Sequence, residues 1–164
     1  MKKSKSLFIA YSAVIAALYV VLTFLSNIFG LSVGLVQFRF SEVLAILPLF
    51  SFTAIPGLTV GCLISNILSG CPIWDIILGS FATFLGAIGT YYIGKKSYVL
   101  SLAPPILSNA IIVPIVYTVI YSFGSEGFIA WFLGVFTGEF VMICIFGSIL
   151  YKILRKNQKS LFKI

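Results

Sequence analysis

Residues 36–52 read VQFRFSEVLAILPLFSF, and the fold turns on whether this stretch crosses a membrane. Its first half sets Gln37, Arg39 and Glu42 close together; the rest, 43–52, is apolar apart from Ser51. A helix over 41–52 would rise only about 18 Å. A bilayer's hydrocarbon core is about 30 Å thick. The stretch is therefore expected to form a short helix that cannot cross alone, with a polar cluster at its lip.

Composition identifies the solvent. Of 164 residues, 60% are hydrophobic and only 9% charged, and the mean hydropathy is +1.15, far from the balance of a soluble domain. In lipid the backbone must satisfy its own polar groups, so only helices or a closed barrel can span it. The apolar runs are long and do not alternate strictly, which favours helices. The N-terminal segment Met1-Lys2-Lys3-Ser4-Lys5 leads into an apolar run with no clear cleavage site and is expected to remain as the first span.

Outward from 36–52, the pattern gives helices over about 7–27, 41–52, 54–69, 73–94, 99–122 and 128–154. Joining the second and third into one broken span would leave five crossings. Charge decides the count, because cytoplasmic segments collect Lys and Arg. With six crossings and both termini cytoplasmic, the inner side holds Lys2, Lys3, Lys5, Lys95, Lys96, Lys152, Arg155, Lys156, Lys159 and Lys163. Only Arg39 falls outside. Five crossings would put the Lys95-Lys96 turn and the basic tail opposite the basic N-terminus. The expectation is an all-α integral membrane protein with six transmembrane helices, a single domain over 1–164 and basic cytoplasmic ends at 1–6 and 152–164. The net charge of +7 then reads as orientation plus attraction to anionic membrane lipid, not as a nucleic-acid surface.

The polar residues acquire depths from this topology. Gln37, Arg39, Glu42, Asn66 and Asp75 fall at the outer level, and Asn109 and Glu139 near mid-depth. A charged side chain at the bilayer centre costs about 2.5–3.5 kcal/mol on insertion scales, so such groups face a protein interior or an aqueous cavity. Internal pairing of Arg39 with Glu42 is the plain alternative, but it leaves Asp75 and Glu139 without a cation. A pocket open to the outside accounts for all of them. Residues 36–41 alternate apolar and polar as an extended chain would, and Ser41 suits the N-cap of the short helix. Pro114 should kink the fifth helix beside Asn109. Trp74, Tyr117, Tyr121 and Trp131 fit an interfacial belt, although one or two could stack on a flat ligand.

Small residues four apart recur in four helices: Ala13 with Ala17, Gly57-Gly61-Ser65-Ser69, Ala82-Gly86-Thr90-Gly94, and Gly134 with Gly138. Such spacing lets helix backbones approach closely. In the later helices it reads as internal packing; on the first, Ala13 and Ala17 could instead dock another membrane subunit. There is no His, no phosphate-binding G-x-x-x-x-G-K-[ST] loop, and the three cysteines have no metal-ligand spacing. No nucleophile pairs with a base, so no enzyme, cofactor or metal is expected.

The run VQFRFSEVLAILP (36–48), AIPGL (54–58), GCLISNILSG (61–70) and WDIILGS (74–80) resembles the QueT family. These are substrate-binding S-components of energy-coupling-factor (ECF) transporters, associated with queuosine precursors. The resemblance implies a six-helix S-component bundle. It also implies partners: a transmembrane coupling subunit docking at Ala13 and Ala17, and two ATPase subunits. The implied substrate is a 7-deazaguanine base such as 7-aminomethyl-7-deazaguanine (preQ1).

Such a base offers an acceptor carbonyl, adjacent N–H and NH₂ donors, and an ammonium. A carboxylate can take the two donors, a second can neutralise the ammonium, and Arg, Gln or Asn can donate to the carbonyl. Gln37, Arg39, Glu42, Asn66, Asp75, Asn109 and Glu139 supply that inventory. Glu42 and Glu139 are the first choice as carboxylates, with Arg39 or Gln37 at the carbonyl. If Arg39 instead holds Glu42, Asn109 is the better donor. Two other readings stay open at this point: an S-component for another small vitamin or nucleobase, and a self-sufficient proton-coupled transporter using Glu139.

Overall fold

The computed structural model describes residues 5–32, 34–121 and 126–161. Lys2, Lys3 and Lys163 of the basic ends lie outside them, as do the side chains of Glu126 and Lys159. The described residues are mostly helical, with no strand among them. Helix α1 is Lys5–Ile28 and α2, wound as a 3-10 helix, is Phe40–Leu49. Helix α3 is Ala54–Leu68, and α4 covers Asp75–Gly94. Helix α5 covers Leu100–Ile120, and α6 runs over 126–161. Four of these (α1, α4, α5 and α6) are long and apolar enough to cross a bilayer, while α2 and α3 are shorter apolar helices. The chain is a multi-pass membrane protein: its outward surface is a rim of large apolar side chains, among them Ile9, Val14, Val21, Val119, Ile129 and Ile153, where a soluble fold would carry charge.

Helix α2 is the middle of the packing. It lies against α1, α4 and α6, and Ser41, Glu42 and the run 44–48 are all buried. Two hydrophobic clusters meet on it. Leu44 and Leu47 pack with Ile15, Tyr19, Ile55, Leu58 and Ala87 from α1, α3 and α4. Ala45 and Ile46 pack with Leu102, Ile106 and Ile143 from α5 and α6. An apolar helix buried all round is what its sequence demands, since 44–49 reads LAILPL with no polar face to leave exposed. It starts differently from the expectation. Arg39, extended at φ −100° and ψ 111°, precedes the helix without a side-chain cap. Ser41 is fully buried beside Thr23 of α1. The first turn is held instead from outside, by the Ser26 hydroxyl of α1, which accepts from the Phe40 amide at 2.7 Å.

Helices α1 and α3 pair through glycines. A Cβ on Gly61 would stand 2.7 Å from Tyr19 Cβ and 3.0 Å from the Ala16 backbone, and one on Gly57 would stand 2.9 Å from the Ser12 carbonyl. The close approach turns Ile15, Ala16 and Tyr19 inward and leaves Ala13 and Ala17 on the exposed side of α1. Substituting Gly61→Ala should therefore overpack this contact and destabilise the purified protein by about 1–3 kcal/mol. In Gly127→Ala the new Cβ would meet only the Trp131 ring, at 3.6 Å, and should be near neutral. Equal thermal-denaturation shifts for the two variants would refute the glycine-mediated pairing.

Candidate functional site

The site forms around the connection that leads into α2. Its chain turns back at Leu31, whose amide donates to the Ser26 carbonyl (2.9 Å) and whose carbonyl accepts from Phe38 (2.8 Å). Beyond that turn its backbone lies on α6. The Leu35 carbonyl fills the space where Gly134 lacks a side chain, and the Gln37 carbonyl does the same at Gly138. Any Cβ there would overlap the connection. The glycine pair read from the sequence as helix packing therefore serves a loop, and Glu139 follows the second notch directly. Gln37 itself is half-buried, its amide donating to the Gly34 carbonyl at 3.3 Å.

Two buried carboxyl groups, Glu42 and Glu139, lie near Arg39. Glu42, 4% exposed, accepts a short 2.5 Å hydrogen bond from the Tyr19 hydroxyl of α1. One turn along α1, the Thr23 hydroxyl donates to the Tyr19 carbonyl and lies 2.9 Å from the Ser41 hydroxyl, so two α1 side chains grip the start of α2. Glu139, on α6 and 7% exposed, accepts from Asn109 Nδ2 of α5 at 2.9 Å. Its second oxygen, Oε2, is buried and has no hydrogen-bond partner among the described residues. A buried acceptor left unmade is costly and marks a position that a donor would improve.

Arg39 connects the two. Its guanidinium makes no hydrogen bond or ion pair within contact distance among the described residues. An arginine guanidinium keeps its proton even when buried. The guanidinium is therefore a permanent cation, near enough to Glu42 and Glu139 to feel both charges and hydrogen-bonded to neither among the described residues. On its other side Arg39 lines a cavity with Asn66, Asp75, Gly79, Val113, Val116 and Tyr117. Asn66 is buried, its amide reaching the Asp75 carbonyl at 3.4 Å. Tyr117 stacks on Trp131 with ring centroids 4.3 Å apart and planes 7° from parallel, so the cavity wall carries a flat aromatic platform.

Three π-helical turns surround this region. They are Asp75–Gly79 in α4, Val116–Ile120 in α5 and Val141–Gly147 in α6. The first holds Asp75, the second Tyr117, and the third begins just after Glu139. Such turns arise where an extra residue is accommodated in an α-helix, commonly at functional sites. In α5 the π turn begins two residues after Pro114, so the departure from regular helix falls on the Tyr117 side of that proline. The cavity is narrow. Its volume of about 20 Å³ suits a water molecule, whereas organic ligands occupy pockets of roughly 300 Å³ or more. Arg39, Asn66 and Asp75 share it. Glu42, Asn109 and Glu139 are not among the residues that line it, and Gln37 lies on the connection, its carbonyl against Gly138. As it stands, it is too small for a bicyclic ligand.

Sequence reasoning missed Tyr19. The signal was present, because Ser12, Tyr19, Thr23 and Ser26 are polar groups at seven-, four- and three-residue spacings on one face of an otherwise apolar helix. That face carries the small-residue pairing with α3 at one end and the grip on α2 at the other. The cluster Trp74, Tyr117, Tyr121 and Trp131 divides: Trp74 is 47% exposed, as an interfacial residue would be, while Tyr117 faces the cavity.

A protein from Lactococcus lactis subsp. cremoris, described as "Queuosine precursor transporter QueT", is 42% identical over 85 residues, covering 52% of this chain and 50% of that protein. The aligned part is thus about half the length of that relative. No solved structure matches the chain. The sequence profile of the QueT transporter family matches residues 9–156, nearly the whole chain. The chain is a member of the QueT transporter family.

Proposed function

We propose that this chain is the membrane-embedded substrate-binding component of an ECF transporter, taking up a queuosine precursor of the 7-deazaguanine class such as preQ1. In this reading residues 1–164 form one transmembrane domain that crosses the bilayer six times, with both termini cytoplasmic. The short α2 and α3 complete the six, α2 being wedged within the bundle. The likeness to a relative described as a queuosine precursor transporter supports the substrate class. The observation that carries the assignment is Glu139: a buried carboxyl with one oxygen bonded to Asn109 and the other unpartnered. A protonated aminomethyl group would supply the missing donor.

The remaining groups fit the rest of such a base. Glu42, oriented by Tyr19, takes the adjacent ring N–H and NH₂ donors. Arg39 donates to the ring carbonyl, with Gln37 and Asn66 within the same walls. Tyr117 offers a face for the planar ring, and Asp75 closes the far wall. Access requires the connection at 34–39 to lift from the notches at Gly134 and Gly138. Energy comes from two ATPase subunits that work through a membrane coupling subunit. Helix α1 presents that subunit with Ala13 and Ala17 beside an apolar groove of about 290 Å³ lined by Phe8, Ile9, Ser12, Ala13, Ala16, Pro56 and Val60.

Isothermal titration of the purified protein with 7-aminomethyl-7-deazaguanine tests the site. Glu139→Gln should weaken binding roughly 10- to 100-fold, the loss expected for a hydrogen bond to a charged group; affinity kept within about threefold would refute the role. Tyr19→Phe removes only the hydroxyl that orients Glu42 and should weaken binding about tenfold. An unchanged constant there would show that Glu42 needs no such support. For the docking face, Ala13→Leu should leave binding intact while abolishing cellular uptake. Uptake at the wild-type rate would remove that surface from consideration.

A further inference from the structure

A second cleft lies at the opposite end of α2, where the ends of α2 and α4 meet the last turns of α6. Its lining is Tyr98, Ser148, Tyr151, Lys152, Arg155 and Lys156, and its volume is about 610 Å³. A smaller hollow of about 160 Å³, which shares Tyr98, Tyr151 and Arg155, continues it toward Leu49, Phe50 and Gly94. Residues 148, 151, 152, 155 and 156 follow helical spacing along one face of α6, so the three cations line one wall together.

This wall is built rather than scattered. Tyr98 and Tyr151 stack with centroids 4.0 Å apart and planes at 21°. The Tyr98 and Ser148 hydroxyls are 2.7 Å apart. Arg155 donates from Nη1 to the Tyr151 hydroxyl at 3.1 Å and lies over the same ring, 5.7 Å from its centroid. The guanidinium is thereby held beside Lys152 and Lys156. No ion pair neutralises any of the three among the described residues, and every carboxyl group discussed above lies at the other end of α2. Like charges this close repel one another, so an anion seated among them is favoured.

We propose that this cleft binds the phosphate-bearing headgroup of an anionic phospholipid. The shared chemistry is a phosphate ester met by a fixed guanidinium, two ammonium groups and hydroxyl donors. The source is lipid, because the same stretch of α6 turns Ile149 and Ile153, each more than half exposed, outward beside the cations. An acyl chain can lie along them while its headgroup sits in the cleft. The inference does not depend on the substrate assigned above.

Native mass spectrometry of the purified protein in detergent micelles, titrated with phosphatidylglycerol, phosphatidylcholine or inorganic phosphate, tests it. The wild-type protein should retain one phosphatidylglycerol in preference to phosphatidylcholine and show no comparable uptake of inorganic phosphate. Lys152→Gln with Arg155→Gln should weaken phosphatidylglycerol binding about thirtyfold, as expected for two membrane-surface cations. Lys95→Gln with Lys96→Gln removes two charges from exposed positions at the same end of the molecule but outside the cleft, and should change it less than about threefold. Equal losses in the two doubles would reduce the effect to diffuse charge and overturn the site. Equal binding of phosphatidylcholine, or binding of phosphate alone with the affinity of the lipid, would overturn the anionic-lipid assignment. All four substituted residues are exposed, so both doubles should keep the wild-type helical circular dichroism.

Discussion

The hydrogen bond from Tyr19 to Glu42 is the contact on which the interior depends. A carboxyl group buried in an apolar bundle must find its partners inside the protein. Glu42 finds one on α1, and the same face of α1 also holds Ser41 through Thr23 and the Phe40 amide through Ser26. These three links fix where the short helix begins. Everything else about α2 follows from apolar packing, with Leu44 and Leu47 in one cluster and Ala45 and Ile46 in the other. Without the anchor, a ten-residue 3-10 helix would have greasy sides and nothing to set its register.

The polar region above α2 is assembled from separate elements rather than from one motif. Arg39 comes from the connection, Glu42 from α2, Asn66 from α3, Asp75 from α4, Asn109 from α5 and Glu139 from α6. Backbone at membrane depth leaves the regular helix most readily where it is covered by protein or lines a cavity, and the π turns at Asp75–Gly79 and Val116–Ile120 each contribute residues to the cavity wall. The connection at 34–39 closes the region by shape, seated where Gly134 and Gly138 carry no side chain.

Much of this was legible in the sequence. Hydropathy and length placed the helical segments to within a few residues, because apolar runs in lipid leave few alternatives; the exception is the end of α6, which continues through the basic stretch to Leu161. The shortness of α2 followed from the residues between Arg39 and Ser51. The candidate site residues were recognisable because polar groups are rare in so apolar a chain and therefore conspicuous. Partner choice was less visible. Glu42 bonds Tyr19, not Arg39, and Ser41 faces Thr23 instead of capping its own helix. Both depend on which face of α1 meets α2, and that is set by the glycines of α3. The Gly134 and Gly138 notches serve internal packing as expected, but small residues four apart announce close approach without saying whether a helix or a loop arrives. A tyrosine within an apolar helix is also easily taken for packing, which is how Tyr19 escaped notice.

Helix α6 carries Glu139 toward its middle and Arg155 in its last turns, with the π stretch Val141–Gly147 between them. Each residue in a regular α-helix advances the side-chain direction by about 100°, and a π stretch advances it by less. The angular phase between these two parts of α6 is therefore set by those seven residues. Rewinding them as ordinary helix would swing Ser148, Tyr151 and Arg155 round the axis, away from Tyr98, while leaving Glu139 opposite Asn109. The wide turns thus act as a spacer in angle, letting one continuous rod face two different neighbours along its length.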